Sequence, residues 1–255
     1  MIYLVYFLLY ALVFFVGSCI GSFLNVIIYR LPLAISVAKG RSFCPHCQTT
    51  LSPWELVPII SFLFLGGRCK NCKSKISRRY PLVEIIMGMA ALLILMRYGF
   101  SILALLYFMV AALLTVIAFI DHYTMEIPNI LVLLLLIPAV AVMVFFSQQL
   151  ISAHIIGFFI IGIPMLVLNM VIADSFGGGD IKLIAVCGLL LGWKSVLLAG
   201  FVALLLGGIY GVYLLKLDKN NRKAHFAFGP CLCIGVFISM LFSDKIIAWY
   251  FQLFS

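Results

Sequence analysis

The stretch ILALLYFMVAALLTVIAFID at residues 102–121 decides how this chain is read. No charged side chain occurs before the last position, where the apolar run stops on Asp121. Roughly 20 apolar residues, each rising about 1.5 Å, span the hydrocarbon core of a bilayer. The segment therefore predicts a transmembrane helix that ends on a carboxylate. An ionisable group at membrane depth costs roughly 2.5–3.5 kcal/mol on insertion scales, so such groups tend to be retained for function.

Similar runs recur on both sides of this one. Predicted spans fall near residues 2–28, 82–96, 102–120, 130–146, 151–172, 181–191, 195–215 and 231–242. The sixth is short and interrupted by glycine, which suits a helix that tilts, stops early or packs beside a cavity. The chain is 65% hydrophobic and 10% charged, with a mean hydropathy of +1.26. Soluble domains carry roughly 45–50% apolar and about 25% charged residues. The expected fold is an all-α polytopic membrane protein of about eight helices, with one polar insertion between the first and second. The organisation reads as a first helix at 1–29, the insertion at 30–80, and a helical membrane domain at 81–255. No basic residue precedes the first apolar run, unlike a secretory signal, so that run reads as a retained helix.

The net charge of +9 does not indicate a nucleic-acid partner, because the basic residues lie in loops between apolar spans. Eight spans divide the loops into two sets. One set holds fourteen of the seventeen Lys and Arg residues, and the other only Arg97, Lys194 and Lys245. The positive-inside rule orients the first set toward the cytoplasm. Both termini then face outward, and the insertion lies inside with the segments at 121–129 and 173–182. Asp121 and Asp180 are thereby expected at the same, cytoplasmic, side of the membrane.

The insertion contains Cys44-Pro45-His46-Cys47 and Cys69-Lys70-Asn71-Cys72, with 21 residues between the pairs. Two CxxC knuckles at this spacing predict a tetrahedral zinc site with four thiolate ligands. With no open coordination position, the zinc would be structural. Lysines 70 and 73 and Arg68 favour the thiolate form. Competing readings are an iron site, free thiols, a redox pair, or disulfides, the last disfavoured by a cytoplasmic location. His46 reads as a solvated turn residue. Cys19, Cys187, Cys231 and Cys233 lie in apolar spans and read as small hydrophobes.

Only eight residues are acidic. Asp180 follows Gly177-Gly178-Gly179 and opens the sixth span, and the glycines permit tight turns and close chain approach. Two neighbouring carboxylates can share one proton and supply an acid and a base at neutral pH. Such a pair can activate water for attack on a peptide carbonyl. The competing reading is two unrelated aspartates at positive helix N-termini. Glu126 and Asp174 read as interfacial loop charges, and Glu84 as a partner of Arg78 or Arg79.

Taken in order, these residues resemble the type IV prepilin peptidase family of the GxGD membrane aspartic proteases. The match begins with Gly17-Ser18-Cys19-Ile20-Gly21-Ser22-Phe23-Leu24-Asn25-Val26 and Tyr29-Arg30-Leu31-Pro32. It continues through both CxxC pairs and Ser77-Arg78-Arg79-Tyr80-Pro81-Leu82-Val83-Glu84. Ile120-Asp121, Ile127-Pro128-Asn129, Gly177-Gly178-Gly179-Asp180-Ile181-Lys182-Leu183 and Phe228-Gly229-Pro230 complete it.

The resemblance implies a bacterial inner-membrane aspartic endopeptidase, with 81–255 as its peptidase domain. Its substrates would be type IV pilin-like precursors, cut after a glycine that ends a basic cytoplasmic leader. Asp121 and Asp180 match the catalytic aspartates, with Gly177, Gly178, Gly179 and Lys182 in support. Many members also methylate the new N-terminus using S-adenosylmethionine, an activity associated with the insertion and residues 17–32. Family members often carry a second acid beside the first aspartate, where His122 and Tyr123 stand here. Gly17 and Gly21 form GxxxG, which independently reads as a helix-packing face. Alternatives are a membrane methyltransferase without protease activity, a cation-coupled transporter with a zinc-bound regulatory insertion, and a structural subunit of a secretion apparatus.

Overall fold

The computed structural model describes residues 1–172, 176–217 and 226–253. Asp174, read above as a loop charge, lies outside these, as do Lys219, Arg222 and Lys223 of the fourteen bases counted on the cytoplasmic side. Two compact units divide at Phe100 and Ser101. The helix after the cysteine insertion belongs to the first of these units, for a reason visible in its packing.

That unit contains α1 (Ile2–Arg30), the cysteine insertion and α3 (Arg79–Tyr98), with a short α2 (Ile60–Phe64) inside the insertion. Helices α1 and α3 run antiparallel in backbone contact. A Cβ on Gly17 would stand 2.7 Å from the Met87 carbonyl oxygen, and one on Gly21 would stand 2.9 Å from Cα of Glu84. The GxxxG pattern is therefore the α1 face of this contact, and it ties α3 to the first helix. Asn25 extends the pairing by donating from Nδ2 to the Tyr80 carbonyl at 3.1 Å. At the end of α1 the buried Arg30 side chain donates to the carbonyls of Ser36, Lys39 and Arg41 at 3.0, 2.7 and 3.2 Å. It folds the exit loop around itself. Glu84, expected on Arg78 or Arg79, accepts the backbone N–H of Ile59 at 2.7 Å.

The second unit contains α4 (Ile102–Thr124), α5 (Asn129–Phe145), α6 (Ile151–Ile160), α7 (Gly162–Val171), α8 (Gly178–Leu191), α9 (Trp193–Leu217) and α10 (Gly229–Gln252). Ser101 caps α4 by accepting the Ala104 N–H at 3.1 Å, and left-handed Met125 ends it before Pro128 starts the next turn. The single span expected at 151–172 is two helices broken at Ile161. Pro164 has no N–H to offer the Ile160 carbonyl, which removes a helix hydrogen bond at the break. Helix α8 packs against α5, α6, α7, α9 and α10. It buries Leu183, Ile184, Ala185, Val186 and Cys187 in unbroken succession, and so its whole circumference, as expected of a helix that is apolar on every side. It meets α6 where Gly157 and Gly188 bring the two backbones together.

Among the described residues, six helices are long and apolar enough to cross a membrane, counting α6 and α7 as one span. Helix α5 has 17 residues and α8 has 14, so the eight predicted segments all appear as helices, two of them short. No strand forms among the described residues.

Candidate active site and metal centre

Asp121 occupies the last turn of α4, and Asp180 the third position of α8. Both are buried, at 5% and 7% exposure. Asp121 Oδ2 accepts the backbone N–H of Gly229 at 2.9 Å. Gly229 is the first residue of α10, where helix N–H groups lack partners within the helix. Asp180 turns back toward its own helix start and meets the backbone of Gly177. Its Oδ1 is buried without a hydrogen-bond partner. Each carboxylate therefore sits at a helix N-terminus, where the macrodipole favours negative charge. The two also lie close enough for Asp121 to act electrostatically on Asp180. One carboxylate arrives from a helix C-terminus and the other from a helix N-terminus, separated by 59 positions in the chain.

The three glycines before Asp180 are not equivalent. A Cβ on Gly179 would stand 2.8 Å from Cβ of Ile127, so the start of α8 is pressed against the α4–α5 connection. A Cβ on Gly177 would stand 3.1 Å from Asp180 Oδ2, whereas one on Gly178 would meet nothing within 4 Å. Lys182 is exposed and donates from Nζ to Asn129 Oδ1 at 3.0 Å. His122 and Tyr123 are exposed and face each other edge to face at 5.1 Å, and Glu126 is also exposed. The rings of Phe176 and Phe228, which precede α8 and α10, lie 5.7 Å apart. An apolar cleft of about 590 Å³ opens beside α8, lined by Val132, Leu136, Phe159, Gly162, Ile181 and Ala185 among others.

Gly229 was not singled out from the sequence as a site residue. Its signal was Phe228-Gly229-Pro230, a glycine and proline opening an apolar run, which marks a helix start. Nothing in that signal says which side chain the exposed N–H will meet. Of the membrane cysteines, Cys187 and Cys233 are buried, Cys231 is half-buried, and Cys19 is exposed on the surface of α1, unlike the packed position expected for it.

In the first unit, Cys44, Cys47, Cys69 and Cys72 bring their four Sγ atoms within 4.8 Å of one another. Cys44 and Cys72 are 3.8 Å apart, and Cys47 and Cys69 are 4.0 Å apart. A tetrahedron with Zn–S bonds of about 2.3 Å requires sulfur separations of about 3.8 Å. The donor set thus has the size and chemistry for a metal ion such as zinc. His46 is outside the cluster.

The two knuckles repeat one backbone design. Cys44 N–H donates to the Thr49 carbonyl and Cys69 N–H to the Ser74 carbonyl, at 3.0 and 2.9 Å. Gln48 and Lys73, one residue past each CxxC, both adopt left-handed φ of 58° and 60°. Each turn is closed by one antiparallel bridge, Phe43 with Thr50 and Arg68 with Lys75. The Cys47 thiol is lowered to about 6, chiefly by hydrogen bonds from the Thr49 side chain and backbone. These bonds, rather than the nearby lysines, do most to favour its thiolate.

Residues 15–98 match the model of the bacterial Peptidase A24 N-terminal domain, and residues 108–212 match that of the type IV leader peptidase family. The chain is 32% identical to a prepilin leader peptidase/N-methyltransferase of Bacillus subtilis over 249 residues, covering 95% of this chain and 98% of that protein. Proteins of the same description in Pseudomonas putida and Legionella pneumophila are each 32% identical, over 265 and 271 residues. Those matches cover 93% and 95% of this chain, and 92% and 94% of the relatives. No solved structure matches the chain.

Proposed function

The chain belongs to the type IV leader peptidase family, and on that premise we propose that it removes the leader of type IV pilin-like precursors and methylates the new N-terminus. The observation that carries the proteolytic half is that Asp121 and Asp180 are both buried at helix N-termini, near enough for Asp121 to act electrostatically on Asp180. Asp121 Oδ2 is already an acceptor, because Gly229 N–H occupies it. Asp180 Oδ1 has no partner, and this is the oxygen assigned the shared proton. Asp121 then takes a proton from the attacking water, while Asp180 gives its proton to the carbonyl oxygen of the scissile bond. The tetrahedral intermediate collapses as Asp121 passes the proton it took to the leaving amine and Asp180 regains one from a hydroxyl of the intermediate, and no covalent enzyme intermediate is needed.

This is a protein of the bacterial inner membrane. The charge bias of fourteen to three supports a cytoplasmic position for the insertion and the aspartates. A dyad at that edge suits a substrate whose leader lies inside and whose helix lies in lipid, and the apolar cleft beside α8 offers that helix a wall. Cys44, Cys47, Cys69 and Cys72 would hold a structural zinc, which supplies a crosslink between the two knuckles. The methyl donor is S-adenosylmethionine. Buried acceptors without partners on α1, Ser18 Oγ and Asn25 Oδ1, are compatible with polar ligand chemistry in the region that the resemblance associates with methylation.

The test is cleavage of a solubilised pilin precursor by wild type and by Asp180→Asn, with mass spectrometry of the product in the presence of S-adenosylmethionine. Cleavage by wild type alone, with a product heavier by one methyl group, is the expected result. A wild-type protein that is folded and methylates pre-cleaved pilin, yet cuts no precursor, would overturn the peptidase reading.

A further inference from the structure

Between the two cysteine knuckles the chain makes an excursion that the metal site does not require. It descends through a 3-10 turn at Pro53–Leu56, reverses at Ile59 and returns through α2. The turn and the helix pack together. Their apolar side chains nevertheless face outward, with Trp54 83% exposed, Leu63 70% and Phe64 88%, and with Leu56 and Ile60 also exposed. Large apolar residues gathered on one exposed tip mark an interaction surface rather than ordinary surface composition.

The position of the tip identifies the partner. Ile59 is β-branched yet holds φ of 63° and ψ of −51°, a conformation that such residues avoid unless something secures it. Glu84 secures it by accepting the Ile59 N–H at 2.7 Å. Glu84 lies five residues into α3, and therefore about 7–8 Å along the helix from its start. It stands opposite Gly21 of α1, a helix that continues to Arg30. The reversal is thus pinned beside the two membrane helices, below the level at which both emerge. Around it the insertion is basic: Arg41, Arg68, Lys70, Lys73, Lys75 and Arg78 are exposed. Glu55 is the one acid in residues 30–80, and its carboxylate is engaged by the backbone and hydroxyl of Ser52.

We propose that the tip at residues 54–64 enters the headgroup–acyl boundary of the adjacent leaflet, with anionic phospholipid as its ligand. An aromatic and aliphatic tip with a basic surround has the chemistry of an interfacial anchor, and tryptophan favours that depth. The anchor would hold the cysteine module against the membrane surface from which α1 and α3 emerge. This inference does not depend on the proposed cleavage activity.

The chain has three tryptophans, so Trp193→Phe with Trp249→Phe leaves Trp54 as the sole reporter in the full-length protein. The protein is placed in nanodiscs of phosphatidylethanolamine and phosphatidylglycerol, with lipids brominated near the top of the acyl chain, or with soluble iodide, as quenchers. Blue-shifted emission quenched several-fold more by the brominated lipid than by iodide is expected. Exchange of phosphatidylglycerol for phosphatidylcholine should reduce that lipid quenching at least twofold. Dominant iodide quenching would show a solvated tip, protection from both quenchers would show a protein-covered one, and either overturns the proposal. Quenching that is indifferent to phosphatidylglycerol removes anionic lipid as the ligand. If the double variant does not insert, the difference in quenching between the wild-type chain and Trp54→Phe, both keeping Trp193 and Trp249, reads the same tip.

Discussion

The backbone N–H of Gly229 donates to Oδ2 of Asp121 across 108 positions of the chain. A main-chain donor at the start of one helix thereby orients the carboxylate at the end of another. Because the donor is backbone, no substitution except proline removes it, but an added side chain at Gly229 would displace its acceptor. A Cβ there would stand 2.5 Å from the same Oδ2.

Gly229→Ala should therefore lose cleavage by about 10²-fold, the scale on which a misplacement of about 1 Å acts in an active site. Steady-state cleavage of a purified precursor measures this, with the thermal unfolding profile as the check on folding. Activity within twofold of wild type would show that Asp121 needs no such placement.

The glycines before Asp180 separate by steric role. Gly179→Ala presses on Ile127 and should lower cleavage at least tenfold through displacement of Asp180. Gly178→Ala meets open space and should keep cleavage within about threefold, the loss reflecting no more than a changed helix start. Equal losses in the two variants would contradict this ordering. Lys182→Ala, which releases Asn129 rather than an aspartate, belongs with the mild class.

Removal of either carboxylate should be far more severe. Asp121→Asn and Asp180→Asn each lack one member of the proposed acid–base pair, and such a group typically contributes 10²–10⁴-fold. The expected outcome is loss of cleavage on that scale in each single variant, with membrane insertion retained. The double variant should be no worse than either single one, because both act in one step.

The cysteine module makes a metal prediction. Purified protein should carry one zinc per chain by elemental analysis, and Cys47→Ser with Cys69→Ser should abolish it. Methylation and unfolding temperature should fall further than the rate of peptide-bond cleavage, since the cysteines and the aspartates occupy different compact units. A quadruple serine variant with normal stability and methylation would remove the structural role.

Packing of α1 on α3 is testable apart from any activity. Gly21→Leu forces side-chain atoms into the backbone of Val83 and Glu84, and overpacking of this kind typically costs about 1–3 kcal/mol. Unfolding of the purified protein in detergent should shift accordingly. The unchanged stability of such a variant would mean that the two helices part easily.

Much of this protein could be read along the chain because bilayer insertion depends on local quantities. Apolar length located all eight helical segments, loop charge suggested their orientation, and paired CxxC spacing located a four-cysteine cluster with the dimensions to hold a metal. Asp121 and Asp180 stood out because acids are scarce in such a chain. Tertiary structure decided the rest. It broke the helix at Ile161, gave Gly179 and Gly178 different roles, turned Lys182 to Asn129, set Glu84 on the amide of Ile59 and aimed Gly229 at Asp121. The physical reason is common to all of them. Hydropathy and spacing report whether a segment can leave water and which groups a short turn can gather. Close backbone approach and the direction of a lone N–H depend on segments far apart in sequence, and they exist only once the helices have packed.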